Sequence, residues 1–161
     1  MKLKVPIYKQ GHNQCGPTSL KMILKYLGDE VPVNKIIKVC GGMRKGKRKG
    51  MTLLNMEMGV KKLGYKTESY NFFDRKPSKE LILKYLKKKT PVIISVRAFI
   101  FFNRLRSTIG HFIVITGYEK GKFYINDPAT GKKISMKEEQ LLMGWFIHSV
   151  NSTKYLLAVK K

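Results

Sequence analysis

Residues 111–127, HFIVITGYEKGKFYIND, constrain the fold more than any other stretch of the chain. The first eight are almost continuously apolar, a Glu-Lys-Gly break follows, and KFYIND resumes the strand pattern. Two such runs joined by a short break with a glycine predict a β-hairpin, and a hairpin commits the chain to an antiparallel sheet. PVIISVRA (91–98) reads as a further buried strand, 66–72 as extended, and strands are expected near 132–135 and 154–159. Upstream the pattern is helical. Leu20, Ile23, Leu24 and Leu27 share one face of a helix over 16–27 that Gly28 ends. Helices are also expected over 34–39, from Thr52 to about Leu63, from Pro77-Ser78 to about Lys88, and briefly over 137–143. Helices come first and antiparallel strands later, so the chain is expected to be α+β, not an alternating parallel fold.

The 161 residues suit one domain, 1–161, with a real core, and 43% hydrophobic content argues against disorder. Cys15 and Cys40 make no disulfide framework, no signal peptide is visible, and the longest apolar run (91–102) is broken by Arg97. A cytoplasmic protein is the expectation. The net charge of +23 is dense at RKGKRKG (44–50), KYLKKK (84–89) and Lys160-Lys161. It fits a solvated lysine-rich surface, or an anionic partner: an acidic peptide, nucleic acid or a membrane surface. No zinc-finger spacing, helix-turn-helix cue or RNP-like aromatic run backs nucleic acid.

Chemistry concentrates at QGHNQCGPTSL (10–20). Cys15 stands where Gly16 and Pro17 lead into the first helix, and a helix start favours an anion. Gly16 is expected to let backbone and substrate approach closely. A thiolate nucleophile also needs a base and an orienting group. His111 opens the apolar strand and Asp127 closes its partner, just before Pro128. A three-residue turn at 119–121, with Gly121 left-handed, pairs Tyr118 with Lys122, 113 with 127 and 111 with 129. His111 and Asp127 then share a face as diagonal neighbours, roughly 7 Å apart at the backbone. A two-residue turn would put them on opposite faces. Asp127 would fix the His111 tautomer, and His111 would take the thiol proton and return it to the leaving amine. Gln10 and the Cys15 backbone N–H are the oxyanion donors, with Gln14 the competing candidate.

The set Q-x4-CGP-x-S-L-x-M-I-L, GH-F-x-V-x-TGY and INDP-x-x-G resembles the C39 family of papain-like cysteine peptidases, over most of the chain from Val5 to the final strand. The resemblance implies a papain-like fold, N-terminal helices on a C-terminal antiparallel sheet, with Cys15, His111 and Asp127 as the triad and Gln10 at the oxyanion. Family members fused to exporters cleave leader peptides after a Gly-Gly pair. This chain carries no membrane helix and no P-loop, and KEEQLLMGW before the closing strand is more like stand-alone members.

The expected activity is thus a cysteine endopeptidase acting through a Cys15 thioester on an acidic or flexible peptide, without a cofactor. Two other uses of the fold are a silent groove that binds a peptide or protein partner, and acyl transfer to an amine on the same triad. Cys40 is expected to pack, His148 to lie at the surface, and His12 to be a decoy or substrate contact. A zinc site from Cys15, Cys40 and His12 lacks zinc-like spacing. AFIFFNRLR (98–106) reads equally as buried, as a groove wall, or as a membrane-touching loop.

Overall fold

The structure, a computed structural model, describes residues 1–46, 49–102 and 109–161, with Phe99 and Phe102 described by backbone only. Residues 47–48 of the basic loop 44–50 and residues 103–106 of the 98–106 segment therefore lie outside the described residues.

The helices are α1 (Cys15–Tyr26), α2 (Val33–Val39), α3 (Leu53–Lys62), α4 (Lys79–Lys87), α5 (Phe99–Phe102) and α6 (Glu138–Ser149). The strands are β1 (Lys66–Tyr70), β2 (Val92–Arg97), β3 (Gly110–Glu119), β4 (Lys122–Asp127), β5 (Lys132–Lys137) and β6 (Leu156–Lys160). They form a six-stranded sheet in the order β1-β6-β2-β3-β4-β5, antiparallel at every pairing. The α+β expectation holds.

Helices cover both faces of this sheet. Ile93, Val114, Leu157 and Val159 pack with Leu20, Ile23 and Leu24 of α1 and with Met56 and Val60 of α3. The alternate residues Val92, Ile94, Ile113, Ile115 and Leu156 pack on the other face, with Leu81, Tyr85 and Leu86 of α4 and Trp145 of α6. Burial on both faces explains why β2 and β3 read as continuous apolar runs rather than alternating ones. Trp145, fully buried, donates its indole N–H to the Tyr155 carbonyl (3.2 Å) and meets the Tyr155 ring edge-on.

α6 runs six residues beyond the expected 137–143 helix. GWFIHSV is rich in aromatic and β-branched residues that favour strands, and tertiary packing overrides that preference. Gly144 makes the helix possible at close range: a Cβ there would lie 2.5 Å from Ile100 Cγ2.

The hairpin corrects the turn expected at 119–121. Glu119 pairs with Lys122, so the turn has only two residues, Lys120 and Gly121, both at positive φ (48° and 73°). That is the turn whose twist suits antiparallel strands. The register then shifts: Gly117 faces Tyr124, but Ile115 faces Ile125. Thr116 is the extra residue of a β-bulge, which returns the strands to the register that faces 113 with 127. His111 and Asp127 share a face through the bulge, not through the turn.

The bulge also receives the N-terminal arm. The Leu3 N–H donates to Thr116 O (2.7 Å) and the Tyr118 N–H to Met1 O (3.1 Å). A Cβ at Gly117 would lie 2.5 Å from Met1 O, so glycine admits the arm. Farther along, buried Asn126 donates from Nδ2 to the carbonyls of Val5 (3.3 Å) and Pro6 (2.9 Å), and Gln10 N–H donates to Pro128 O (2.8 Å). The arm is thereby stitched along the hairpin until it delivers the start of α1 beside β3.

Candidate active site

Asn13, at φ 56°, turns the chain into α1 after a bond from Gln14 N–H to Gly11 O (3.2 Å). No side chain caps the helix, and Cys15 is its first residue. The next residue sets how near the helix comes to the sheet. A Cβ on Gly16 would lie 2.9 Å from Met56 Sδ and 3.3 Å from Phe112 Cδ2. The glycine thus lets α1 pack closely against Met56 and Phe112, the close backbone approach expected of it.

This approach brings Cys15 to His111. The half-buried thiol lies within the influence of the imidazole and of the backbone N–H groups of Phe112 and Gly16, all of which favour its ionised form. His111 Nε2 lies 2.7 Å from Asp127 Oδ1, which leaves Nδ1 for the sulfur. His111 and Asp127 are both buried, and the Phe101 ring stands edge-on to the imidazole with centroids 5.7 Å apart. Asp127 is held from its other side. Oδ1 also accepts the Ala129 N–H (3.0 Å), while Oδ2 accepts the Thr130 N–H (3.3 Å) and hydroxyl (2.8 Å). A carboxylate with every lone-pair direction engaged cannot swing, so it fixes the ring.

The electrostatics follow from these contacts. Burial pushes the Cys15 thiol up, but His111 and the two N–H groups more than offset it, so the thiol lies below its ordinary value. Burial pushes His111 down, yet Asp127 and Cys15 raise it to about 9. Burial likewise raises Asp127, and His111, Thr130 and the Ala129 N–H together hold it below the usual carboxylate range. Both shifts favour the charged thiolate–imidazolium pair over the neutral thiol and imidazole.

Gln10 is tied to the Asp127–Pro128 turn through its backbone, and its side-chain Oε1 is buried with no partner. Gln14 instead folds its amide over Gly11, where a Cβ would lie 2.6 Å from its Oε1. Cys40 packs: its Sγ would lie 2.2 Å from a Cβ on Gly59, and burial pushes its thiol up to about 11. The zinc arrangement of Cys15, Cys40 and His12 does not assemble, and no group of three or more His, Cys, Asp or Glu suited to a metal occurs among the described residues. His12 is exposed and lines a small pocket of about 250 Å³ with Arg44, Lys45 and Lys49.

His148, expected at the surface, is only half-exposed. The added turns of α6 carry it into a cleft of about 700 Å³ that opens onto Cys15. Its ring lies against Gly110, where a Cβ would be 2.5 Å from Cε1, and its Nδ1 is buried without a partner. Burial, then the charge of Arg97, lowers it to about 4, so it stays neutral. The signal that would have found it is the helical spacing of Leu141, Trp145 and Ser149, the face that α6 buries.

A thiol at a helix start, facing an imidazole on an antiparallel sheet, has the architecture of the papain-like cysteine peptidases. More narrowly, the chain belongs to the Peptidase_C39 like family, whose sequence model matches residues 2–149. Among solved structures, a C39-like peptidase from Bacillus anthracis is 19% identical with a TM-score of 0.74, over 100% of this chain and 98% of that one. The peptidase domain of Streptococcus ComA, a bifunctional ABC transporter of a quorum-sensing pathway, is 19% identical with a TM-score of 0.69, over 97% and 98%. A double glycine motif protease from an AMS/PCAT transporter, solved with its leader peptide, is 27% identical with a TM-score of 0.67, over 99% and 93%. No curated protein matches the sequence. Among the described residues no helix is long and apolar enough to cross a membrane.

Proposed function

We propose that the chain is a cysteine endopeptidase in which Cys15, His111 and Asp127 form the catalytic triad. The observation that carries this reading is the 2.7 Å bond between His111 and the buried Asp127, with the thiol lowered and the histidine raised by each other's charge. The Cys15 thiolate attacks the peptide carbonyl carbon, and the oxyanion is taken up by the Cys15 backbone N–H and the Gln10 side-chain amide. As the C–N bond breaks, His111 gives its Nδ1 proton to the departing amine, leaving a Cys15 thioester. His111 then takes a proton from water, whose oxygen attacks the thioester, and the acid product leaves as the thiolate re-forms. No step calls for a cofactor.

The substrate is a peptide, in keeping with the leader peptide held by the double glycine motif protease, and an acidic or flexible segment suits the chain's charge of +23. The test is incubation with a diverse peptide library, read by mass. Wild type is expected to yield new termini that incorporate one oxygen from labelled water, and Cys15→Ala to yield none while keeping its thermal unfolding profile. Cleavage by Cys15→Ala at the wild-type rate would overturn the assignment, and transfer to an added amine in preference to water would make the chain an acyltransferase.

A further inference from the structure

The cleft onto Cys15 has two walls. One is Arg44 with the run from Lys49 to Leu54, where Arg44 bridges to Gly50. The other combines Arg97 at the end of β2, Gly110 at the start of β3, His148, and the chain from Asn151 to Lys154. Each wall thus carries two cations, Arg44 and Lys49 on one, Arg97 and Lys154 on the other.

No carboxylate is part of the cleft lining. The chain's ten acidic residues are Asp29, Glu30, Glu57, Glu68, Asp74, Glu80, Glu119, Asp127, Glu138 and Glu139, all described, and none lines the cleft. Asp127 is nearest in function, but it faces His111 and is saturated by Ala129 and Thr130. Glu57, on α3, is turned to Thr67, Ser69 and Lys61. Glu68 and Glu138 bind Tyr85 and Lys160, and Tyr118 and Lys79.

We propose that these walls form a carboxylate-binding subsite, in which Arg44, Lys49, Arg97 and Lys154 receive an aspartate or glutamate side chain of the bound peptide close to the bond that is cut. The inference rests on the peptidase reading for its substrate, and it places the charge preference in this cleft, where a bulk charge of +23 would spread it over the whole surface. Cations gathered around a partly enclosed space repel one another, and an incoming carboxylate relieves that repulsion more strongly than it would in open water. His148 fits the same picture. Half-buried and under the charge of Arg97, it is kept uncharged, and its unpartnered Nδ1 shows that the wall is polar yet incompletely satisfied.

The test uses two alkylating agents of nearly equal size, anionic iodoacetate and neutral iodoacetamide, with the reaction followed at Cys15 by mass. The quantity read is the ratio of their rates, which cancels any change in the reactivity of the thiol itself. The ratio at Cys15 is expected to exceed that for free cysteine about tenfold at low salt and to fall as salt rises from about 0.02 M to about 0.5 M. Lys154→Gln and Arg44→Gln are each expected to lower it at least about twofold, and the double variant about fourfold. Lys87→Gln at the end of α4 and Lys122→Gln at the hairpin turn remove the same charge elsewhere and are expected to leave it nearly unchanged. If the cleft variants shift the ratio no more than these controls, the charge acts from the whole surface and the subsite is wrong. A matched pair of cleaved peptides, differing only by Glu or Gln beside the cut, then reads the consequence as a higher KM for Gln at similar kcat, and equal KM values would also overturn the subsite. Failure of the peptidase reading looks different: neither peptide is cut, while the alkylation ratio still reports on the cleft.

Discussion

His111 Nε2 lies 2.7 Å from Asp127 Oδ1 across a hairpin whose register changes by one residue between that pair and the turn. The two-residue turn alone would send the two side chains to opposite faces, and Thr116 restores them.

Deleting Thr116 therefore reverses the face on which one member of the pair points. The deletion variant is expected to lose the enhanced reactivity of Cys15 altogether, with alkylation following that of an ordinary thiol. Its circular dichroism should still report a β-sheet, and an intact rate of Cys15 alkylation would show that the bulge does not set the register.

Gly16 fixes the distance between helix and strand. Gly16→Ala places a methyl 2.9 Å from Met56 Sδ and 3.3 Å from Phe112 Cδ2, so α1 must retreat or its neighbours must shift. Because a thiol displaced from its base by a fraction of an ångström loses rate steeply, activity is expected to fall about tenfold or more. Adding Met56→Ala opens space on that side and is expected to recover part of the loss, measured as kcat/KM on any peptide that wild type cleaves.

Asp127 keeps His111 protonated against the effect of burial. The thiolate–imidazolium pair exists above the lowered value of Cys15 and below the His111 value of about 9, and past that point no proton remains for the leaving amine. The rate profile is thus a bell with its upper limb near 9. Asp127→Asn removes the charge that raises His111, so the upper limb is expected to move down by about one unit or more. A limb that stays in place would mean that Asp127 does not tune the histidine.

The two thiols should separate cleanly. Burial drives Cys40 up to about 11, whereas Cys15 lies below its ordinary value. Near neutral pH, iodoacetamide is expected to label Cys15 in the folded protein and Cys40 only after denaturation, by peptide mapping.

Much of this arrangement was legible from residues 10–28 and 111–127, because the information is local: a glycine and proline at a helix start, continuous apolar strands, and a glycine at a turn. Even so, the correct face for His111 and Asp127 came from two compensating departures, a shorter turn and an extra residue at Thr116. A bulge depends on what packs against it, here Met1 and Leu3, more than a hundred positions away in the chain. The same holds for α6. GWFIHSV favours a strand locally, and only its packing against Ile100 and Tyr155 keeps it helical through Ser149. With the helix cut short, His148 had no reason to enter the cleft. The helices on the second sheet face were present in the sequence pattern, but which face each covers is set by connections that periodicity does not record.

The most direct measurement is the rate of Cys15 alkylation by iodoacetamide against pH, in wild type and in His111→Ala. An activated pair predicts a wild-type rate that titrates well below the ordinary thiol value of about 8.5, and its displacement to that value or above without the imidazole. Identical profiles in the two proteins, both following an ordinary thiol, would contradict the assembled triad and leave the cleft as a site that binds without cutting.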